Sequence, residues 1–205
     1  GFDDDGSCRA LARLRPLNPY GRSKLIFDRR VARLVERAVA VPPQWAGLRF
    51  FNLYGPNEYH KGSQRSLVAQ IFEQVALHGR ARLFKSHHPD YPDGGQRRDF
   101  VWVDDALDVM LWLYDNPAVS GLFNVGTGKA RSFADLAAAV FAARGEEPRI
   151  DYVDTPAHIR DRYQYFTQAN MERLRAAGYD RPATELEDGV AAYVRDYLAA
   201  DDRYR

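Results

Sequence analysis

Cysteine is almost absent: Cys8 is the single one in 205 residues. No disulfide framework can form within the chain, so packing and hydrogen bonds must hold it, and a lone thiol suits a reducing compartment. Long apolar runs are missing too. Nothing approaches the roughly 18 residues of a membrane span, and no apolar signal-peptide core opens the chain. Charge of one sign is also lacking. The 29 Lys and Arg nearly balance the 28 Asp and Glu, leaving a formal net charge of +1. That removes any bulk electrostatic drive toward nucleic acid or an anionic membrane. Finally, the fifteen glycines nowhere fall into G-x-G-x-x-G or G-x-x-G-x-x-G, and "GTGK" at 126–129 lacks Walker spacing. It reads as a turn after a strand. The default expectation is a soluble, cytoplasmic protein without a membrane or nucleic-acid partner.

What is present is ordinary globular composition, 45% hydrophobic and 28% charged. Strand and helix patterns alternate along it. Residues 20–40 have apolar positions at helical spacing, and "WAGLRFFNLY" at 45–54 reads as one buried strand ended by Gly55-Pro56. A polar loop over 57–65 precedes a helix over 66–78 stopped by Gly79. A short strand at 82–84 leads into "KSHHPDYPDGGQ", whose Pro, Asp and Gly content predicts a surface loop. Strands are expected at 99–103, 121–126 and 149–154. Asp104 or Asp105 is expected to cap a helix over 106–116, and Ser132 one that runs through Ala143. Thr167 is expected to start a helix to Ala177, and Thr184 with Glu187 to form a capping box before the last helix. "GFDDDGSCRA" reads as a loop. The alternation implies an α/β architecture.

The stretch "NPYGRSK" carries the chemistry. Tyr20 and Lys24 stand four apart, so on a helix they share a face. A nearby ammonium favours phenolate and lowers a tyrosine pKa from about 10. Such a tyrosine can exchange a proton with a sugar hydroxyl while hydride leaves the adjacent carbon. The bland alternative is a solvated helix face. Two adjacent histidines in "HHPD" make a poor chelate without further ligands, so no metal is expected.

Y-x-x-x-K is the signature of the short-chain dehydrogenase/reductases, and the preceding Asn-Pro is similar to their extended branch. "LRFFNLYGPNEYHKGSQRS" (48–66) narrows this. It resembles the ADP-L-glycero-D-manno-heptose 6-epimerase family, as do "QRRDFVWVDD", "GLFNVGTGKARSF" and "RDRYQYFTQANMERLRAAGYD". The resemblance spans residues 18–198. It implies a doubly wound, Rossmann-type parallel sheet with a smaller α/β substrate domain. Residues 1–60, with returning segments near 99–128, would belong to the NADP-binding part, and 61–205 mainly to the substrate part. It also implies NADP as cofactor, ADP-heptose as substrate, a 6-keto intermediate, a homo-oligomer (pentamer) and a role in lipopolysaccharide core synthesis.

Residue by residue, Tyr20 and Lys61 match the family's acid/base pair. Lys24, Leu53 and Lys61 match cofactor contacts. Asn52, Ser63, Gln70, Phe84, Lys85, Ser86, His87, Arg98 and Tyr163 match substrate contacts. Gln70 stands where some members have His, and the loop before "RRDF" is longer here. Arg98 would grip the diphosphate, a task that suits a guanidinium; a surface salt bridge is its bland alternative. The Gly-rich cofactor turn and the small-residue strand with the catalytic Ser or Thr are missing, so the chain reads as the C-terminal two-thirds of such an enzyme. Alone it is expected to fold poorly and to lack activity. Two further readings stand beside this one: another nucleotide-sugar epimerase or dehydratase, and a non-catalytic ADP-sugar-binding chain.

Overall fold

The computed structural model describes residues 5–38, 41–160, 163–202 and 204. Its first element corrects the expected N-terminal loop. Ser7 Oγ accepts the Ala10 N–H at 3.2 Å and starts helix α1, Cys8–Arg13. Helix α2, Pro19–Glu36, begins one residue before the expected Tyr20. Pro19 sits in the first turn, where a missing N–H costs nothing, and Asn18 Oδ1 accepts the Gly21 N–H at 2.8 Å. The helix ends at Glu36, short of the expected Ala40, and residues 39–40 lie outside the described ones. Arg29 ties α2 to α1 through the Leu11 carbonyl.

The expected single strand over 45–54 is two. Strand β1, Ala46–Phe50, and strand β2, Asn52–Tyr54, meet at Phe51 and take different neighbours. β1 pairs in parallel with β5, Gly121–Val125. β2 pairs in parallel with β4, Arg97–Trp102. The Phe51 N–H still bonds Val125 O at 3.0 Å, so the exchange of partner happens within one residue. β4 also pairs antiparallel with β6, Ala130–Ser132, a short strand directly after the expected turn "GTGK". A separate parallel pair joins β3, Ala81–Phe84, to β7, Ile150–Val153. Gly55 closes β2 at φ +152°, and a Cβ there would stand 2.4 Å from Val103 Cγ1; only glycine fits.

Helices fill the spaces between strands: α3, Leu67–His78; α4, Val103–Asp115; α5, Phe133–Ala143; the single turn α6, Ala157–Arg160; α7, Glu172–Ala176; and α8, Leu186–Tyr193, continued to Leu198 by a wider, π-type turn. Two cores result. Ile71 and Val75 of α3, Leu136, Val140 and Phe141 of α5, and Val190 and Tyr193 of α8 pack with Tyr54 and Trp102. Val109 and Leu113 of α4, Phe123 and Val125 of β5, and Leu174 of α7 form the other.

Three expected helix starts are corrected, and each correction has a polar cause. The residue preceding α4 is Trp102; Asp104 and Asp105 lie within the first turn and complement the helix dipole. Asp105 instead accepts the Thr184 hydroxyl at 2.7 Å and the Thr184 N–H at 3.0 Å, so Thr184 is not free to cap α8. Glu185 takes the cap position without a side-chain bond. The helix expected from Thr167 begins only at Glu172, because the chain first runs extended beside β4: Arg97 bonds Tyr165 O at 2.8 Å, and Thr167 bonds Arg97 O at 3.1 Å. The capping box at Ser132 is present as expected, with Asp135 as its reciprocal partner. Likewise "GTGK" forms a turn. Buried Asp99 accepts the N–H groups of Thr127, Gly128 and Ala169 and the Thr127 hydroxyl, at 2.7 to 3.0 Å.

Candidate active site

The sequence-predicted residues fall into three groups. The first is on α2. Tyr20 is 72% exposed, and Lys24 Nζ lies 4.9 Å from the centre of its ring. The two side chains therefore do share one face, and the ammonium stands over the phenol ring. Lys24 forms no ion pair among the described residues. Lys24 is exposed as well, so its ammonium is open to a polar ligand.

The second group lies where β2 leads into α3. Asn52 is exposed opposite Phe100 of β4, and Leu53 is half-buried opposite Val101. The expected loop over 57–65 contains a 3₁₀ turn, Tyr59–Gln64. Lys61 and Ser63 sit in it on either side of Gly62, which bends the chain at φ +55°. Both are exposed. The turn is anchored by a residue the sequence reading passed over. Glu58 is only 5% exposed, and its carboxylate accepts the Ser66 N–H and hydroxyl, each at 2.5 Å, and the Tyr193 hydroxyl at 2.9 Å. This buried carboxylate fixes the start of α3 and, three residues away, the position of Lys61, whose N–H bonds the Glu58 carbonyl at 3.0 Å. Gln70, on the first turn of α3, donates to Arg65 O at 2.7 Å and Ser63 O at 3.4 Å, so it braces this turn. Tyr20 and Lys61 share no hydrogen bond.

The third group surrounds the end of β3. Phe84 meets Tyr163 edge-on, with ring centres 6.2 Å apart. Arg98 lies over Tyr163 at 5.8 Å and over Phe133 at 5.4 Å. Its guanidinium donates to Arg97 O at 2.8 Å and to Gln164 O. That engages two of the five N–H donors of an arginine. Burial lowers the Arg98 pKa somewhat and raises that of Tyr163, with Arg98 pulling the phenol back down. Lys85 pairs with Asp154 at 3.5 Å. Ser86 N–H bonds Asp93 Oδ1 at 2.7 Å, which closes the long loop upon itself. His87 N–H bonds the Tyr165 hydroxyl at 2.8 Å. Phe84, Arg98 and Tyr163 are therefore brought together; Asn52, Leu53, Lys61, Ser63 and Gln70 lie along one strand-to-helix passage; Tyr20 and Lys24 stand apart on α2. Three neighbours, His88, Tyr91 and Tyr165, were missed. The alternate aromatics of "RYQY" were the available signal.

The model of the "NAD dependent epimerase/dehydratase family" matches residues 4–126, from ahead of the Tyr–Lys helix through β5. The chain belongs to this family. An ADP-L-glycero-D-manno-heptose-6-epimerase of Nitratidesulfovibrio vulgaris (strain DP4) is 52% identical over 204 residues, which is 100% of this chain and 61% of that protein. The chain thus spans about three-fifths of the length of the curated relatives it matches. Among solved structures, the Helicobacter pylori ADP-L-glycero-D-manno-heptose-6-epimerase superimposes with a TM-score of 0.68 at 26% identity, over 89% of this chain and 52% of that one. The Thermus thermophilus UDP-glucose 4-epimerase, solved with NAD, gives 0.67 at 26% identity, over 88% and 54%. The expected α/β fold with parallel strands is that of these family members.

Proposed function

We propose that the protein works as an ADP-heptose 6-epimerase, converting ADP-D-glycero-β-D-manno-heptose to ADP-L-glycero-β-D-manno-heptose. The observation that carries this reading is the 52% identity, along the whole chain, to a relative of that name. The pairing of Tyr20 with Lys24 supports it. A bound NADP supplies acceptance of hydride from C6 and its return to the opposite face. The chain's own residues handle the proton. As the C6 hydrogen leaves as hydride, the C6 hydroxyl gives its proton to a base and becomes the 6-keto group; both are returned in the second half. Tyr20 is one acid/base group, with the Lys24 ammonium 4.9 Å from the centre of its ring. Lys61 is the other, and as a base it acts in its neutral amine form.

Lys24, Leu53 and Lys61 face the cofactor in this reading. Asn52, Ser63 and Gln70 hold the sugar. Phe84, Lys85, Ser86, His87 and Tyr163 enclose the nucleotide side, and the remaining donors of Arg98 take the diphosphate. Residues 1–60 with the returning segment near 99–128 form the cofactor part, and 61–205 mainly the substrate part. The pairing of β1 with β5 and of β2 with β4 supports that division, since it interleaves 46–54 with 97–125. NADP rather than NAD, a homo-oligomer (pentamer), the cytoplasm and lipopolysaccharide core synthesis complete the reading.

The test is incubation of the native full-length polypeptide with NADP and ADP-D-glycero-heptose, with the product's C6 configuration read by NMR. Conversion without net NADPH is expected. The likeness to a UDP-glucose 4-epimerase favours a second reading, action on another sugar nucleotide. Turnover of UDP- or GDP-sugars without turnover of ADP-heptose would establish that one instead.

A further inference from the structure

The loop of residues 85–96 has an aromatic anchor that none of the proposed roles uses. Tyr91 and Tyr165 pack as a tilted pair, with centroids 5.2 Å apart and planes 34° apart. His88 packs against both, at 5.3 Å and 5.1 Å. The Tyr165 hydroxyl accepts the His87 N–H at 2.8 Å, so one side chain binds the loop by ring and by oxygen. Within the loop, Ser86 Oγ bridges the carbonyl and N–H of His88, and Ser86 N–H is held by Asp93. Tyr165 also meets Tyr163 edge-on at 5.4 Å. Tyr163 in turn lies under Arg98 and against Phe84.

We infer that Tyr165 is a positioning residue, which holds the 86–91 loop where Ser86 and His87 close over the ADP-sugar. This rests on the reading given under Proposed function. The physical argument is one of ordering. Residues 87–90 are exposed, and a twelve-residue loop left free must be ordered each time ligand binds. Stacking on Tyr165 orders it beforehand. On that reading the loop touches the nucleotide side and not the reacting carbon, so the benefit falls on substrate binding and not on the chemical step.

The experiment measures kcat and KM for ADP-heptose in the full-length enzyme carrying Tyr165→Ala, Tyr165→Phe or Tyr91→Ala. Loss of an aromatic pair and a hydrogen bond corresponds to a rise in KM of about tenfold for Tyr165→Ala. kcat stays within about twofold. Tyr165→Phe keeps the stack and recovers most of the affinity. Tyr91→Ala opens the same stack from the exposed loop, so its KM rise cannot come from a damaged fold. Unchanged KM in both Tyr165→Ala and Tyr91→Ala would overturn the inference while leaving the epimerase reading intact. Equal losses in kcat and KM would overturn it as well, by moving Tyr165 into the chemical step. A wild-type enzyme that ignores ADP-heptose but turns over another sugar nucleotide would overturn the reading and this inference together.

Discussion

Tyr20 projects from α2 with most of its ring in solvent, so its hydroxyl has no structural duty in the core. Tyr20→Phe keeps the ring under Lys24 and removes only the proton-carrying oxygen. The expected outcome is a fall in kcat of about 10²- to 10⁴-fold, the range for loss of a general acid/base group. The melting temperature should stay unchanged, as scanning calorimetry would show. Retained kcat would remove Tyr20 from the mechanism. The Tyr–Lys spacing was legible because a helix turns a separation of four into proximity. Glu58 was not legible. It reads as a surface acid in a polar stretch, and only the arrival of Tyr193, 135 positions later, makes it a buried acceptor.

At the scale of elements, Asp99 joins pieces that lie far apart in the chain. Its two oxygens hold the Thr127–Gly128 turn after β5 and the Ala169 N–H before α7. Asp99→Asn would set a donor against two donors inside the fold. It is expected to cost about 3 kcal/mol, since an unmet buried partner of a charged group costs more than a surface bond returns. Urea unfolding would measure the loss. A change below about 0.5 kcal/mol, the range of neutral surface substitutions, would contradict the buried geometry. The cap at Ser132 was predicted well, and Asn18 before α2 and Ser66 before α3 accept a helix N–H in the same way, as local chemistry requires. Thr167 and Thr184 failed as helix starts because distant partners captured their surroundings. β4 drew 165–167 into extended pairing, and Asp105 took both polar groups of Thr184.

For the molecule as a whole, the large core contains phenols that are costly to ionise. Burial pushes the Tyr54 and Tyr193 pKa values well above the usual tyrosine range, with Asp105 adding to the effect at Tyr54 and Glu58 at Tyr193. Tyr163 and Tyr179 are raised by burial in the same direction. In the unfolded chain these groups ionise near pH 10. A pKa raised by folding means stability that is complete below about pH 10 and declines as pH climbs from there toward the folded values. Urea midpoints should therefore be level up to about pH 9 and fall beyond about pH 10. A flat profile through that window would show that the phenols are not buried in solution. No described helix is long and apolar enough to cross a membrane.

The sequence by itself determined the α/β alternation, the self-capped helices and the face shared by Tyr20 and Lys24. Each depends on interactions within a few residues, where spacing and backbone geometry suffice. Tertiary structure decided the rest. It divided the 46–54 strand at Phe51 by giving its halves different partners. It turned Glu58 and Asp99 into buried anchors, and it set Tyr165 against His88 and Tyr91 across more than seventy residues. Those contacts depend on which segments meet, and the pairing of strands and the closing of cores settle that, with no local pattern recording it.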